Sequence, residues 1–434
     1  MSIYKKILCA FIFILLTGNV LAQSSSENGN SPSTNSPYTR YGFGQLSDQS
    51  FGNSKAMGGV AYGLRDGSQI NPANPASYTA IDSLTFLFDG GFSIQNTNFS
   101  EGKVKQNAKN SSFDYIAMQF RLHRRLALTL GFMPFSSVGY SISTEEKING
   151  TPNPNLTAYS TYNGSGGLNQ LFLGAGFKVF NGLSVGVNAS YLFGTITHSS
   201  QVSFSDNSFN MSNKTNSIRV QDYKLDFGLQ YTQKIGQKQN VTLGAVYSLK
   251  HKLNNDSYKA TQRGSISSSG NYIAQGANVE TVDGFEFPHC FGAGLTYVYD
   301  KRLTVGFDYT LQKWGDVKYF DKVGEELKDR SKYALGIEFL PSYTTRNYFA
   351  KIRYRVGAYY SDPYVKVRNG KGADEFGVSA GFGLPIFMNK SILNISAQYI
   401  KVKPQVSGLL EENYMKISIG LTFNERWFAK WKVQ

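Results

Sequence analysis

The sequence predicts an all-β protein: a transmembrane antiparallel β-barrel of about fourteen strands whose lumen is plugged by an N-terminal hatch segment. Three observations lead there. The first residues read as an export signal, alternating apolar segments recur from Leu84 to the C-terminal region, and the connections between them alternate long and short.

Lys5 and Lys6 form a positive start, Ile7–Leu16 an apolar run, and Val20-Leu21-Ala22 a small-residue cleavage site. That run is about half the roughly 20 residues a spanning helix needs, so residues 1–22 read as a signal peptide. Cys9 lies within it, and removing it leaves Cys290 as the one cysteine, with no internal disulfide and no cysteine metal site. No later apolar stretch is long enough for a transmembrane helix, although Gly 44, Tyr 28 and Phe 31 with 17% charged residues suit many short aromatic strands. The formal charge of +14 falls to +12 without Lys5 and Lys6. For an exported chain this basicity points to outer-membrane lipid and lipopolysaccharide, not nucleic acid.

Lipid sets a sharp demand on a strand: every backbone donor pairs within a closed sheet, and apolar residues alternate outward over about 9–11 positions. Leu126–Phe132, Val185–Tyr191, Val241–Tyr247 and Leu303–Leu311 all alternate this way. The candidate strands are 84–97, 112–122, 125–135, 168–178, 182–198, 218–234, 239–252, 286–299, 302–313, 331–341, 347–360, 373–388, 391–402 and 413–423. Long connections at 98–111, 136–167, 199–217, 253–285, 314–330, 361–372 and 403–412 alternate with short turns such as His123-Arg124, Asp300-Lys301 and Asn389-Lys390. Short periplasmic turns and long outer loops are the asymmetry of an outer-membrane barrel, and an even strand count places both termini in the periplasm. A soluble sandwich would have no reason to sort its loops this way.

Strand 347–360 fixes the faces. Ile352, Tyr354, Val356, Ala358 and Tyr360 share one side, and Lys351, Arg353 and Arg355 the other. A basic residue facing mid-membrane lipid costs about 2–4 kcal/mol, so these three are expected to face the lumen. Lys224, Asp226, Asp308, Glu338 and Gln398 follow by the same rule, giving a polar interior of mixed charge.

Before the barrel, residues 23–37 are polar and expected to be disordered, whereas 38–83 are rich in Tyr, Phe, Gly and Asn-Pro without a clear period. A fourteen-stranded barrel left empty would leak, and a segment of that size folded inside would close it. Within it, Met57-Gly58-Gly59, Asp66, Asn71-Pro72-Ala73 and Asn74-Pro75-Ala76 resemble the hatch of the FadL-type outer-membrane transporters of long-chain fatty acids and other hydrophobic compounds, in a Bacteroidota-type form. Asn74-Pro75-Ala76 stands at the family's distance from Gly58-Gly59, with Asn71-Pro72-Ala73 as a second copy. The resemblance implies a hatch inside the barrel and, in transporting members, a lateral route for an apolar ligand into the membrane. Gly58-Gly59 and the two prolines, Pro72 and Pro75, also read simply as residues that set the turns of a plug.

The chain reads as signal peptide (1–22), linker (23–37), hatch (38–83), barrel (84–423) and a basic, aromatic tail (424–434) suited to the periplasmic membrane interface or to a periplasmic partner. His123, His198, His251 and His289 lack a second ligand at metal spacing, and His198-Ser199 sit on opposite faces of a strand, so neither an enzyme nor a cofactor is expected. Two function classes remain: uptake of hydrophobic small molecules past the hatch, or a non-transporting, PorV-like subunit of an outer-membrane secretion or assembly complex. The charged lumen favours the second, because an apolar cargo gains nothing from Arg353 and Arg355.

Overall fold

The computed structural model describes residues 33–426 apart from 84, 149–155, 207–208, 267–271, 368–369, 371, 387–390 and 407. The signal peptide, most of the linker, the Asn389-Lys390 turn and the tail beyond Arg426 lie outside the described residues.

Fourteen strands form the wall: β1 Thr85–Glu101, β2 Val104–His123, β3 Leu126–Lys147, β4 Thr157–Phe180, β5 Leu183–Phe204, β6 Met211–Lys234, β7 Gln239–Ser248, β8 Cys290–Tyr299, β9 Leu303–Gln312, β10 Arg330–Phe339, β11 Arg353–Ser361, β12 Ala373–Ile386, β13 Ser391–Pro404 and β14 Glu411–Arg426. Each pairs antiparallel with the next, and β14 returns to β1 through the register Thr85↔Arg426 to Ser100↔Glu411, which closes the barrel. The outward positions carry an apolar belt that includes Leu130, Leu173, Phe227, Leu243, Phe307 and Val356, all exposed. Among the described residues, closure leaves no edge within that belt other than one opening described below.

The strands run further than the alternation predicts. Residues 98–111 are not a loop: β1 and β2 continue through them to a tight turn at Gly102-Lys103. The loops expected at 136–167 and 199–217 likewise shrink to the connections after Lys147 and Phe204. Outside the membrane both faces meet water, so apolar alternation disappears while backbone pairing persists. The loop at 253–285 holds a hairpin, Asn255–Ile266 with Tyr272–Val282. In the other direction, residues 347–352 are not strand. Phe349–Lys351 is a 3-10 turn, so Lys351 lies outside the wall and off the lumen face expected for it.

The long-loop end is closed by a cap. Trp314, Tyr319, Phe285, Phe287 and Tyr364 enclose Phe43, whose ring lies 5.3 Å from that of Tyr319 and 5.6 Å from that of Phe287. The tyrosines also fix the backbone around Phe43: Tyr319 donates to the Gly42 carbonyl (2.7 Å) and Tyr364 to that of Gly44. The first described residues therefore stand at the long-loop end. Ser36, within the stretch expected to be disordered, is buried there and donates to Glu412 (2.7 Å).

From the cap the chain descends inside the barrel to β1, and the wall offers it glycines. On β4, β5 and β6, Gly176, Gly186 and Gly228 are cross-strand neighbours, as are Gly306, Gly336 and Gly357 on β9, β10 and β11. A Cβ at Gly186 would lie 2.3 Å from the Pro75 carbonyl carbon, and one at Gly357 2.2 Å from the Met57 carbonyl carbon. Backbone thus packs directly on backbone. Gly186→Val is expected to unseat the segment and destabilise the barrel by about 1–3 kcal/mol or more. Thermal loss of the heat-modifiable gel band measures this, with Gly236→Ala, which meets nothing within 4 Å, unchanged.

Candidate functional site: the hatch and the wall opening

The segment inside the barrel has little regular structure, so its polar backbone groups need partners from elsewhere. Wall side chains supply them. Gln398 donates to the Lys55 carbonyl (2.7 Å), Gln230 to that of Tyr62 (2.9 Å), Asn188 to that of Pro72 (2.9 Å) and Gln119 to that of Tyr78 (2.8 Å). Asp308 accepts from the amides of Ala61 (2.6 Å) and Tyr62 (2.8 Å).

The motif residues fall at these contacts. Gly58 and Gly59 turn the chain after the short helix Gly52–Ala56 with φ of +67° and +88°. The Gly58 amide donates to Ser379 Oγ (2.9 Å), and a Cβ there would collide with the Ala358 backbone. Asn71 Nδ2 donates to the Ala61 carbonyl (2.7 Å), with Pro72 and Ala73 following at the turn. Asn74 caps the 3-10 turn Pro75–Ala80 by accepting from the Ala76 amide (3.1 Å), and its Nδ2 donates to the Tyr62 carbonyl (2.8 Å). Pro75 lies on the Gly176, Gly186 and Gly228 floor. Both Asn-Pro-Ala copies thus touch the wall, Asn71-Pro72-Ala73 through Asn188 and Asn74-Pro75-Ala76 on the glycine floor.

Charge completes the attachment. Arg353 Nη1 binds Asp66 (2.9 Å) and Glu338 (3.1 Å), while Arg355, fully buried, binds Glu338 (2.6 Å) and Asn394 (2.6 Å). Lys224 pairs with Asp226, which also accepts from the Ser248 hydroxyl, apart from the hatch. A second buried latch was not legible in the sequence: Lys55 of the short helix meets Asp114 of β2 at 2.6 Å, with Lys416 3.7 Å away. Lys55 sits in a region without a helical period, and Asp114 sits among residues whose alternation is broken by a bulge.

That bulge marks the main feature of the wall. β2 and β3 pair only from Ile116↔Phe132 to His123↔Leu126. Above this, of the wall strands, β2 pairs only with β1 and β3 only with β4. At the same height the β1–β2 register shifts at Gly91/Phe92, leaving Asp114 unopposed, and the β3–β4 register shifts at Pro134/Ser136, leaving Phe135 unopposed. Bulges bend strands, and Pro134 has no N–H to offer a neighbour. The two strands part.

The inner segment takes over the edge of β3. Gln45 and Leu46 pair with Ser137 and Ser136, the Ser47 amide donates to the Phe135 carbonyl (2.9 Å), and Thr39 bonds both polar groups of Gly139. Gly44, at φ +84°, permits this approach, since a Cβ would lie 2.4 Å from the Ser137 oxygen. A cavity of about 1260 Å³ runs from Asp48, Lys55, Lys332 and Asp308 inside to Phe92, Phe113, Phe132 and Phe193 at the opening. Its inner end is charged and its wall end aromatic.

Asp66 carries a pH dependence. Burial acts to raise its pKa, but the Arg353 guanidinium and the Ser68 hydrogen bonds prevail and hold it below the ordinary 3.8. Because the folded value is the depressed one, the stabilisation is complete above about pH 4–5 and is lost as pH falls through the folded pKa. Asp66→Asn is expected to lower thermal stability at pH 7 by about 1–3 kcal/mol and to flatten the acid limb of a melting profile below pH 4.

Among solved structures the fold matches hydrocarbon channels. The Pseudomonas putida toluene transporter TodX superposes with a TM-score of 0.59 at 15% identity, over 88% of this chain and 99% of that one. The Ralstonia pickettii toluene transporter TbuX gives 0.57 at 15%, over 87% and 99%. A Pseudomonas aeruginosa FadL homologue gives 0.51 at 13%, over 88% and 98%. At these identities the likeness establishes a shared β-barrel fold. No curated protein matches the sequence. The family model for BamG matches residues 3–434, and the chain belongs to the BamG family.

Proposed function

We propose that the protein is an outer-membrane channel for hydrophobic, fatty-acid-like small molecules, which exchange with the membrane through the opening between β2 and β3. The observation that carries this reading is the single cavity joining the charged residues beside the hatch to phenylalanines on the membrane side of the wall. Such a path suits a molecule with an apolar body and a polar end. The toluene transporters that share the fold support the same direction. The aromatic cap obstructs an axial path, which favours the side opening. In this reading the hatch does not need to move: Asn74-Pro75-Ala76 seats it, and the opening lies beside Gln45–Gln49.

A second reading has its own observation. The hatch is bonded to the wall on many sides, from Gln119 to Gln398, and packed on glycine, which suits a stable closure in a non-transporting subunit of an outer-membrane secretion or assembly complex. Liposome uptake of a fluorescent fatty acid separates the two. Ser112→Trp with Ser137→Trp, both at the cavity, is expected to fill the opening and reduce uptake about tenfold while leaving the barrel folded. Uptake no faster than in empty liposomes for the unaltered protein, together with a stoichiometric complex in mild detergent, would establish the second reading instead.

A further inference from the structure

The short connections between β2 and β11 do not stand apart from one another. The Lys178 amide donates to the Arg125 carbonyl (2.8 Å), that of Thr232 to Gly182 (2.8 Å), that of Asp300 to Lys238 (2.7 Å) and that of Leu340 to Arg302 (2.7 Å). Each turn is thereby bonded to the strand end beside it, and the five turns form one continuous rim along the ten strands β2 to β11. The last of them, residues 340–352, is the longest and folds back on itself through the Ser342 amide and the Ala350 carbonyl (2.8 Å).

This rim is basic. Arg124, Arg125, Lys234, Lys301, Arg302 and Arg346 are exposed, and among the described residues none of them meets a carboxylate. The one acid of the five turns, Asp300, lies 3.6 Å from Lys238. Lysines at the long-loop end are placed differently: Lys252, Lys313 and Lys322 meet Asp283 (2.7 Å), Asp329 (2.6 Å) and Glu325 (2.7 Å). Cations gathered without counter-charges repel one another, and an anion brought among them relieves that repulsion. Apolar side chains stand between these cations. Phe180, Ile235, Tyr299, Tyr343 and Phe349 are all exposed and carry the apolar belt of the wall on toward the turns.

We propose that this rim binds the phosphates of anionic glycerophospholipids in the leaflet that meets the short turns, holding a shell of them along β2 to β11. The rings enter the acyl boundary while Lys and Arg reach the phosphates beside it. Zwitterionic phosphatidylethanolamine fits less well, because its own ammonium would meet the same cations. An acidic protein would cover one side of the rim. The cations instead follow the wall through ten strands and stay beside lipid-facing residues throughout, which is how lipid itself is distributed. The inference takes the short turns to be periplasmic, which makes the leaflet the inner one, and it stands whether or not the wall opening passes a ligand.

Native mass spectrometry of the full barrel, released from mixed micelles with equal amounts of phosphatidylglycerol and phosphatidylethanolamine, tests it. Phosphatidylglycerol is expected to be retained at least about threefold more often, and the preference to vanish when Arg124→Gln, Lys301→Gln, Arg302→Gln and Arg346→Gln are combined. Lys103→Gln with Lys105→Gln, at the long-loop end, is expected to keep it. If the quadruple variant loses its heat-modifiable band, Lys301→Gln with Arg302→Gln serves, with the preference about halved. Equal retention of the two lipids by the unaltered protein overturns the proposal, as does a preference that survives neutralisation of the rim or is lost in the long-loop variant. A rim variant that keeps its lipid preference but sheds an acidic protein held by the unaltered barrel assigns the rim to that protein and overturns it too.

Discussion

A strand that parts from its neighbour inside a membrane exposes a row of backbone donors and acceptors with nothing to bond. The wall here tolerates such a parting because the inner segment stands in for the missing neighbour. Gln45, Leu46, Ser47 and Thr39 bond the edge that β3 turns away from β2. The rest of the arrangement depends on that substitution. It holds the opening apart, positions Asp48 and Lys55 at the inner end of the cavity, and orients Gly42-Phe43-Gly44 toward the cap.

The substitution demands that an irregular chain come within backbone distance of the wall. Two devices satisfy this demand together. Cross-strand glycines remove side chains where the hatch touches, and Gln, Asn, Ser and Asp beside them take up its polar groups. Neither would suffice alone, since glycine without partners would leave buried amides unpaired, and long polar side chains without glycine would hold the segment off the wall. The ion pairs of Arg353 and Lys55 then tie distant parts of the hatch to opposite sides of the barrel.

Much of this was legible in the sequence, for a physical reason. Lipid acts on one face of every strand, so Leu303–Leu311 alternates visibly and Arg353 and Arg355 announce their direction. Where lipid is absent the signal fades: the outer parts of β3, β4 and β6 are polar on both faces and read as loops. Lys351 was misplaced because its charge fits the parity of the strand although the chain there has already turned into a 3-10 helix. The motif residues Gly58 and Asn74 fall at contacts of the inner segment with the wall, but the opening was hidden in two bulges and Pro134, whose effect depends on their standing at one height. Asp66 was singled out as acidic without its partner, because Arg353 lies 287 residues away.

The hatch touches the wall around much of its circumference, from Asp114 on β2 through Gly228 on β6 and Asp308 on β9 to Gln398 on β13. A segment held this way and a cylinder closed by the β14–β1 seam fit each other as one object: residues 33–83 fill the sheet as a mandrel fills what is wound on it.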